Sequence, residues 1–268
     1  RALMQAADLA PVDAMIDACI DAGLNPLPLF SASLKDGDSA AVIADLLCQA
    51  KADVILNMTS FAVSDPSRGD DGMPEMRSAG PFGAVDAPVF QLVLSATLQN
   101  DWRDSSAGLT PRDLAMNVAL PELDGRVLTR AVGFKRPPSR HPVTHAMTTA
   151  YEPVRERAAF TARLAANWAR LRQTAAGDRR VALIMANYPN RDGRIANGVG
   201  LDTPASVFAA MQALGDAGYA VQDLPDDSAD LIAQLRAGPT NAGWQGRQTD
   251  VALPLAVYDR HFAALPAP

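Results

Sequence analysis

Asn187, Asn190, Arg191, Asp192, Arg194, Asn197 and Asp202 crowd one stretch, ANYPNRDGRIANGVGLDT, in which Gly193, Gly198 and Gly200 loosen the backbone. An arginine fork matches carboxylate geometry, and amides pair with amides. The mixture therefore suits a ligand edged with carboxylates and carboxamides. Glycines ahead of a helix start would also attract an anion. No Walker lysine follows them, which excludes a P-loop, and Gly198-Val199-Gly200-Leu201-Asp202-Thr203 lacks the third small residue of a dinucleotide fingerprint. The competing reading is a loop whose Asn and Asp side chains cap its own turns.

A second group is Glu122 and Asp124 in LPELDG. If that segment is extended, two carboxylates one residue apart share a side and could take up protons or approach a cation. The alternative is a turn on Asp124-Gly125 that leaves Glu122 exposed. His141 and His145 have the spacing of a metal pair on a helix. Pro142 works against helical geometry there, so a solvated linker is expected. Ser60 and Ser95 follow strands, but no histidine has a context that would make either a hydrolase nucleophile.

These residues need elements to hold them. Pro11–Ala22 places Val12, Met15, Ile16, Cys19 and Ile20 on one helical stripe, and Asn25–Phe30 reads as an edge strand broken by two prolines. Ser39–Lys51 reads as a helix, Asp53–Met58 and Pro88–Leu94 as short buried strands, and Thr110–Pro111 as the start of another helix with Asp113 in its first turn. Arg126–Phe134 reads as a strand, and the Pro-rich basic stretch 135–153 as a boundary or β-connection. Val154–Thr174 reads as a long helix with Phe160, Leu164, Trp168 and Leu171 as its packing stripe. The polar loop is then bracketed by a strand, Val181–Met185, and a helix with Thr203 as N-cap and Pro204 at its first position. A strand over Tyr219–Leu224 and a helix over Ser228–Ala237 follow. Helices alternating with short apolar strands imply a parallel sheet. The expectation is an α/β chain of Rossmann-like, parallel-sheet layers. Residues 1–150 form a first α/β unit containing LPELDG, 151–177 a connecting helix, and 178–268 a second α/β unit carrying the Asn/Arg/Gly-rich loop. A loop this long at a strand-to-helix crossing is the usual ligand position in such folds.

The 268 residues suffice for one large or two ordinary cores, and 48% are apolar. A net charge of −6 argues against a nucleic-acid surface. No apolar run approaches the roughly 18 residues of a membrane span, and no signal peptide is visible. Cys19 and Cys48 are expected as two buried thiols in a reducing compartment. The start at RALMQAADLA, without methionine, and the end at LPAP lead us to expect a piece of a longer polypeptide.

The run ANYPNRDGRIANGVGLDTPASV resembles the signature of the large subunit of aerobic cobaltochelatase, the CobN type, a family related to the large, porphyrin-binding component of magnesium chelatase. GLTPRDLAMNVALPELDGRV resembles a second block that both carry, and DVILNMTSF, DAPVFQLVLS and the Trp102 turn follow in the family's order. The resemblance implies part of a tetrapyrrole-binding subunit in a multidomain protein. The complex would insert Co2+ into hydrogenobyrinic acid a,c-diamide in cytoplasmic cobalamin biosynthesis. It also implies partners: an AAA+ ATPase subunit and its integrin-domain companion, which use ATP and Mg2+. No nucleotide would bind to this piece, and isolated activity is not expected. Within it, Asn187, Asn190, Arg191, Asp192, Arg194, Asn197, Gly198 and Asp202 would line the macrocycle site, and Glu122 would be the carboxylate near the chemistry. No protein metal ligand is assigned. The alternatives are protoporphyrin metalation, as in the magnesium branch, or a non-catalytic scaffold that docks the ATPase subunits. The RDGRIANGVGLDTP wording favours cobalt.

Overall fold

A computed structural model of the chain describes residues 2–63, 80–188, 191–240, 243, 245–248 and 252–266. They divide into two units, Arg1–Gln173 and Thr174–Pro268.

The first unit is built on a four-stranded sheet. β1 (Ile55–Asn57), β2 (Val89–Leu98) and β3 (Val127–Lys135) run parallel, and a short antiparallel strand pairs with β3 at the far edge. β2 is central and buried on both faces, with Phe90, Gln91, Leu92 and Val93 all at most 1% exposed, as expected of a parallel strand covered twice. On one face lie helices α1 (Ala10–Asp21) and α2, defined here as Arg155–Gln173, which enclose Phe90, Leu92 and Val132 with Met15, Cys19, Ala158 and Ala162. On the other lies helix α3 (Gly37–Ala50), whose Ile43 and Leu47 pack on Ile55 and Phe82. Further along that face Val93, Ala131 and Phe134 meet Trp102, with the Trp102 and Phe134 rings 5.1 Å apart.

Three elements of the first unit differ from expectation. The buried stripe of α2 is Ala158, Thr161, Ala162, Ala165 and Ala169, whereas Trp168 and Leu171 are exposed. Small side chains let the helix lie close to the sheet, so the larger residues are left at the margin, where Trp168 meets Phe90 edge-on at 5.8 Å. Close approach recurs at Gly133, where a Cβ would fall 2.9 Å from Leu94 Cδ2. On α1 the stripe is rotated, burying Pro11, Ala14, Met15, Ala18 and Cys19 and exposing Ile20. Asn25–Phe30 joins no sheet, because Pro26 and Pro28 remove the donors a ladder needs. Cys48 is exposed, its thiol directed to the Ala84 carbonyl, while Cys19 is buried; both are free. Stretch 135–153 folds as a two-stranded hairpin, β4 (Ser139–Arg140) with β5 (Met147–Thr148), followed by β6 (Tyr151–Pro153), the edge strand on β3.

The long helix packs inside the first unit. In the second, the described residues contain helices α4 (Thr203–Asp216), α5 (Ser228–Ala237) and α6 (Leu255–Ala263). Val181–Met185 and Tyr219–Leu224 are unpaired, and Val181, Leu183 and Ile184 are exposed. Apolar β-branched residues make a strand only where a neighbour completes the ladder, and no described residue of this unit does so. No helix among the described residues is long and apolar enough to cross a membrane.

Candidate functional site

Pro111–Leu114, a π turn Ala115–Ala119 and Leu120–Glu122 form one helical stretch between β2 and β3. Its wide turn has a local cause. Pro121 has no N–H, and its ring would collide with the carbonyl one α-turn back, so the helix loosens ahead of it. Leu120 N–H reaches Ala115 O, and the Met116 carbonyl, left without Pro121 as donor, accepts the Phe61 N–H at 2.9 Å.

This helix covers a buried polar network. Asp113, 3% exposed, accepts the Ser95 hydroxyl at 2.7 Å and the Ala96 N–H at 3.1 Å. Asn117, one turn on, donates to Asp113 and accepts the Ser60 hydroxyl at 2.6 Å. Gln91, in the central strand, accepts from Asn57 Nδ2 at 2.7 Å and donates to the Thr59 carbonyl at 3.0 Å. Arg126 closes the network: Nη2 donates to Asp124 at 2.7 Å, Nη1 reaches Gln91 and Thr59, and Nε has no hydrogen-bond partner among the described residues. Both side chains of the ion pair are 0% exposed. Burial pulls the Arg126 guanidinium below its ordinary pKa, and the charge and hydrogen bond of Asp124 partly restore it.

LPELDG is therefore not extended. Asp124 N–H bonds to Pro121 O and Gly125 N–H to Glu122 O, with Gly125 at φ +73°, so the chain turns and the two carboxylates part. Glu122 is exposed at the helix end; Asp124 is buried and also takes the Val63 N–H at 2.7 Å. Sequence reasoning missed Asn57, Gln91, Asn117, Asp113 and Arg126 as one cluster. The available signal was polar residues within otherwise apolar strands, Asn57 in VILNM and Gln91 in VFQLV.

In the second unit the loop is organised rather than open. Asn187 and Ile195 form an antiparallel bridge, Ala196 N–H bonds to Ala186 O at 3.0 Å, and Asp192–Arg194 makes a 3-10 turn. Ala196 is 2% exposed at φ +59°, a conformation an alanine holds only when its surroundings enforce it. Arg191, Arg194 and Asn197 are exposed; Arg194 Nη1 lies 3.5 Å from Asn197 Oδ1. Asn187 and Asp192 are half-buried, each with an Oδ1 that has no hydrogen-bond partner among the described residues. Gly198 is needed for space, since a Cβ there would meet Thr203 Oγ1 at 2.7 Å. Asp202 is exposed and accepts the Ala205 N–H at 3.0 Å, so it, and not Thr203, is the N-cap of α4; Thr203 opens the helix and Pro204 follows it. Asn190 lies outside the described residues.

His141 and His145 sit in the β4–β5 turn, where His141 Nδ1 accepts from Thr144 N–H at 3.1 Å. Among the described residues no three His, Cys, Asp or Glu gather as a metal site. A shallow hollow of about 490 Å³ lined by Met4, Gln5, Phe30, Ser31, Ala32 and Ser39 contains none of these side chains.

The family model for CobN/Magnesium Chelatase matches residues 1–268. Aerobic cobaltochelatase subunit CobN of a Sinorhizobium species is 45% identical over 99% of this chain and 20% of its own length, and its counterpart from Pseudomonas aeruginosa is 44% identical over 90% and 19%. The corresponding magnesium-chelatase subunit of Rhodobacter capsulatus is 27% identical over 96% of this chain and 22% of its own. Among solved structures, the catalytic subunit of cobaltochelatase from Mycobacterium tuberculosis superposes with a TM-score of 0.72 at 34% identity, over 89% of this chain and 20% of that one. The chain thus spans about a fifth of the length of the relatives it matches. Over its whole length, the chain belongs to the CobN/magnesium chelatase family.

Proposed function

We propose that this chain is part of the tetrapyrrole-binding subunit of an ATP-dependent aerobic cobaltochelatase. Its complex inserts Co2+, as substrate metal, into hydrogenobyrinic acid a,c-diamide during cytoplasmic cobalamin biosynthesis. The observation that carries this reading is the gap in identity between its cobaltochelatase relatives and its magnesium-chelatase relatives. ATP and Mg2+ are used by an AAA+ subunit and its integrin-domain companion.

Metal insertion removes two pyrrole N–H protons from the centre of the macrocycle, so a base must reach over a face of the ring. Glu122 supports that role by its exposure, and its place at the helix end, where its carbonyl accepts the Gly125 N–H, fixes where the carboxylate starts from. Arg191 and Arg194, exposed on an organised loop, suit the peripheral carboxylates of a corrinoid, and Asn187, Asn190, Asp192 and Asn197 suit its amides. Gly198 keeps the loop backbone close to α4, and Asp202 anchors it through its capping bond.

In the full-length subunit, Arg191→Ala with Arg194→Ala should weaken corrinoid binding in a fluorescence-quenching titration, while Glu122→Gln should bind normally and lose chelation in the assembled complex. Unchanged affinity in the first would remove the loop from the site, and unchanged turnover in the second would remove Glu122. A subunit that binds only the ATPase partners would favour the scaffold reading.

A further inference from the structure

Residues 59–63, just past the carboxyl end of β1, are held at almost every position. The Thr59 carbonyl accepts from Asn57 Nδ2 and Gln91 Nε2, each at 3.0 Å. Ser60 donates to Asn117 at 2.6 Å, Phe61 N–H to Met116 O at 2.9 Å, and Val63 N–H to Asp124 at 2.7 Å. Ala62 is buried. Yet in the middle of this pinned segment Phe61 is 53% exposed, and its backbone sits at φ +69°, a region a bulky residue rarely adopts.

An exposed ring gains little from folding, and glycine would take this φ without strain. The fold nonetheless fixes a phenylalanine here, with two of the bonds that fix it, to Asn117 and Met116, coming from the same helical stretch that ends at Glu122. The position, beyond the carboxyl end of a parallel strand, is where α/β sheets receive ligands. Strained residues whose surroundings enforce the strain cluster at such sites. We propose that Phe61 is a stacking face for the conjugated macrocycle, a binding residue presented rigidly by the Ser60–Asn117, Phe61–Met116 and Val63–Asp124 bonds. This rests on the tetrapyrrole reading above. A rigid aromatic face suits it, because the conjugated part of the macrocycle offers apolar area between its peripheral carboxylate and amide arms.

The test uses the full-length subunit, with Phe61→Ala, Phe61→Gly and Phe61→Tyr compared with wild type. Affinity for hydrogenobyrinic acid a,c-diamide is read by calorimetric titration and stability by thermal unfolding. The expected result is a Kd raised about tenfold or more in the alanine and glycine variants and within about threefold of wild type for tyrosine, since loss of one stacked ring costs on this scale. The glycine variant should melt no lower than wild type, because it relieves the φ +69° conformation. Wild-type affinity in both truncated variants would overturn the proposal and leave the tetrapyrrole reading intact. A melting point lowered in the glycine variant with no change in Kd would assign the ring to stability instead. A wild-type subunit that binds no corrinoid would overturn both.

Discussion

Removing one partner of the buried Arg126–Asp124 pair should be far more damaging than replacing both. At 2.7 Å, with both side chains 0% exposed, the attraction is about 6 kcal/mol at an effective dielectric constant near 20. Burying each ion costs several kcal/mol, so the pair as a whole contributes little net stability. Arg126→Met, however, leaves the Asp124 charge in the interior without its cation, and a loss of about 3–5 kcal/mol is expected. Asp124→Asn keeps an acceptor for Val63 N–H but strips the support from a guanidinium whose pKa burial already lowers. The double variant Asp124→Asn/Arg126→Met should recover about 2 kcal/mol or more relative to the summed single losses. Urea unfolding followed by tryptophan fluorescence reads this directly, since Trp102 and Trp168 both pack on the sheet of the first unit. A cost below about 1 kcal/mol for Arg126→Met, or single effects that add within about 0.5 kcal/mol, would refute the reasoning.

Asp36 caps α3, and its bonds with the Ser39 side chain and N–H hold its carboxyl below the usual range. Its contribution is then complete above the ordinary carboxylate pKa and lost as pH falls through the lowered one. The gap in urea midpoint between wild type and Asp36→Ala should stay constant from about pH 7 to 5 and close below about pH 4; a gap that widens in acid would contradict it. The exposed Cys48 should react with a thiol reagent in the folded chain and Cys19 only after unfolding, since burial also pushes the Cys19 thiol up. Equal rates for the two would be the contrary result. Ala162→Leu, at a fully buried position on α2, should cost about 1–3 kcal/mol in denaturant titration, and Gly133→Ala should also destabilise, because Leu94 and Pro11 crowd its missing Cβ. Full stability in both would mean that α1 and α2 lie less tightly on the sheet.

Local signals carried the first unit well. The α3 helix, the three parallel strands and the Thr110 cap follow from apolar periodicity and cap chemistry, which act over a few residues. The alanine stripe of α2 was hidden because periodicity rewards Phe160, Leu164 and Trp168 for size, whereas the sheet selected the face that fits closest. Val181–Met185 has the composition of a strand, but membership of a sheet depends on a partner that composition does not contain. At the candidate site, the loop 187–202 was legible from its density of Asn, Asp and Arg. The division between Glu122 and Asp124 was not, because Pro121 and Gly125 set the turn and Arg126 drew one carboxylate inward. The network beneath it joins residues as far apart as Asn57 and Arg126, a closeness only the parallel register creates.

The most direct measurement is a structure of the full-length subunit with the corrinoid bound. The macrocycle is expected within contact distance, about 4.5 Å, of the Phe61 ring, with the Glu122 carboxylate over its inner pyrrole nitrogens. A macrocycle seated elsewhere, with Phe61 and Glu122 facing solvent or other protein, would contradict it.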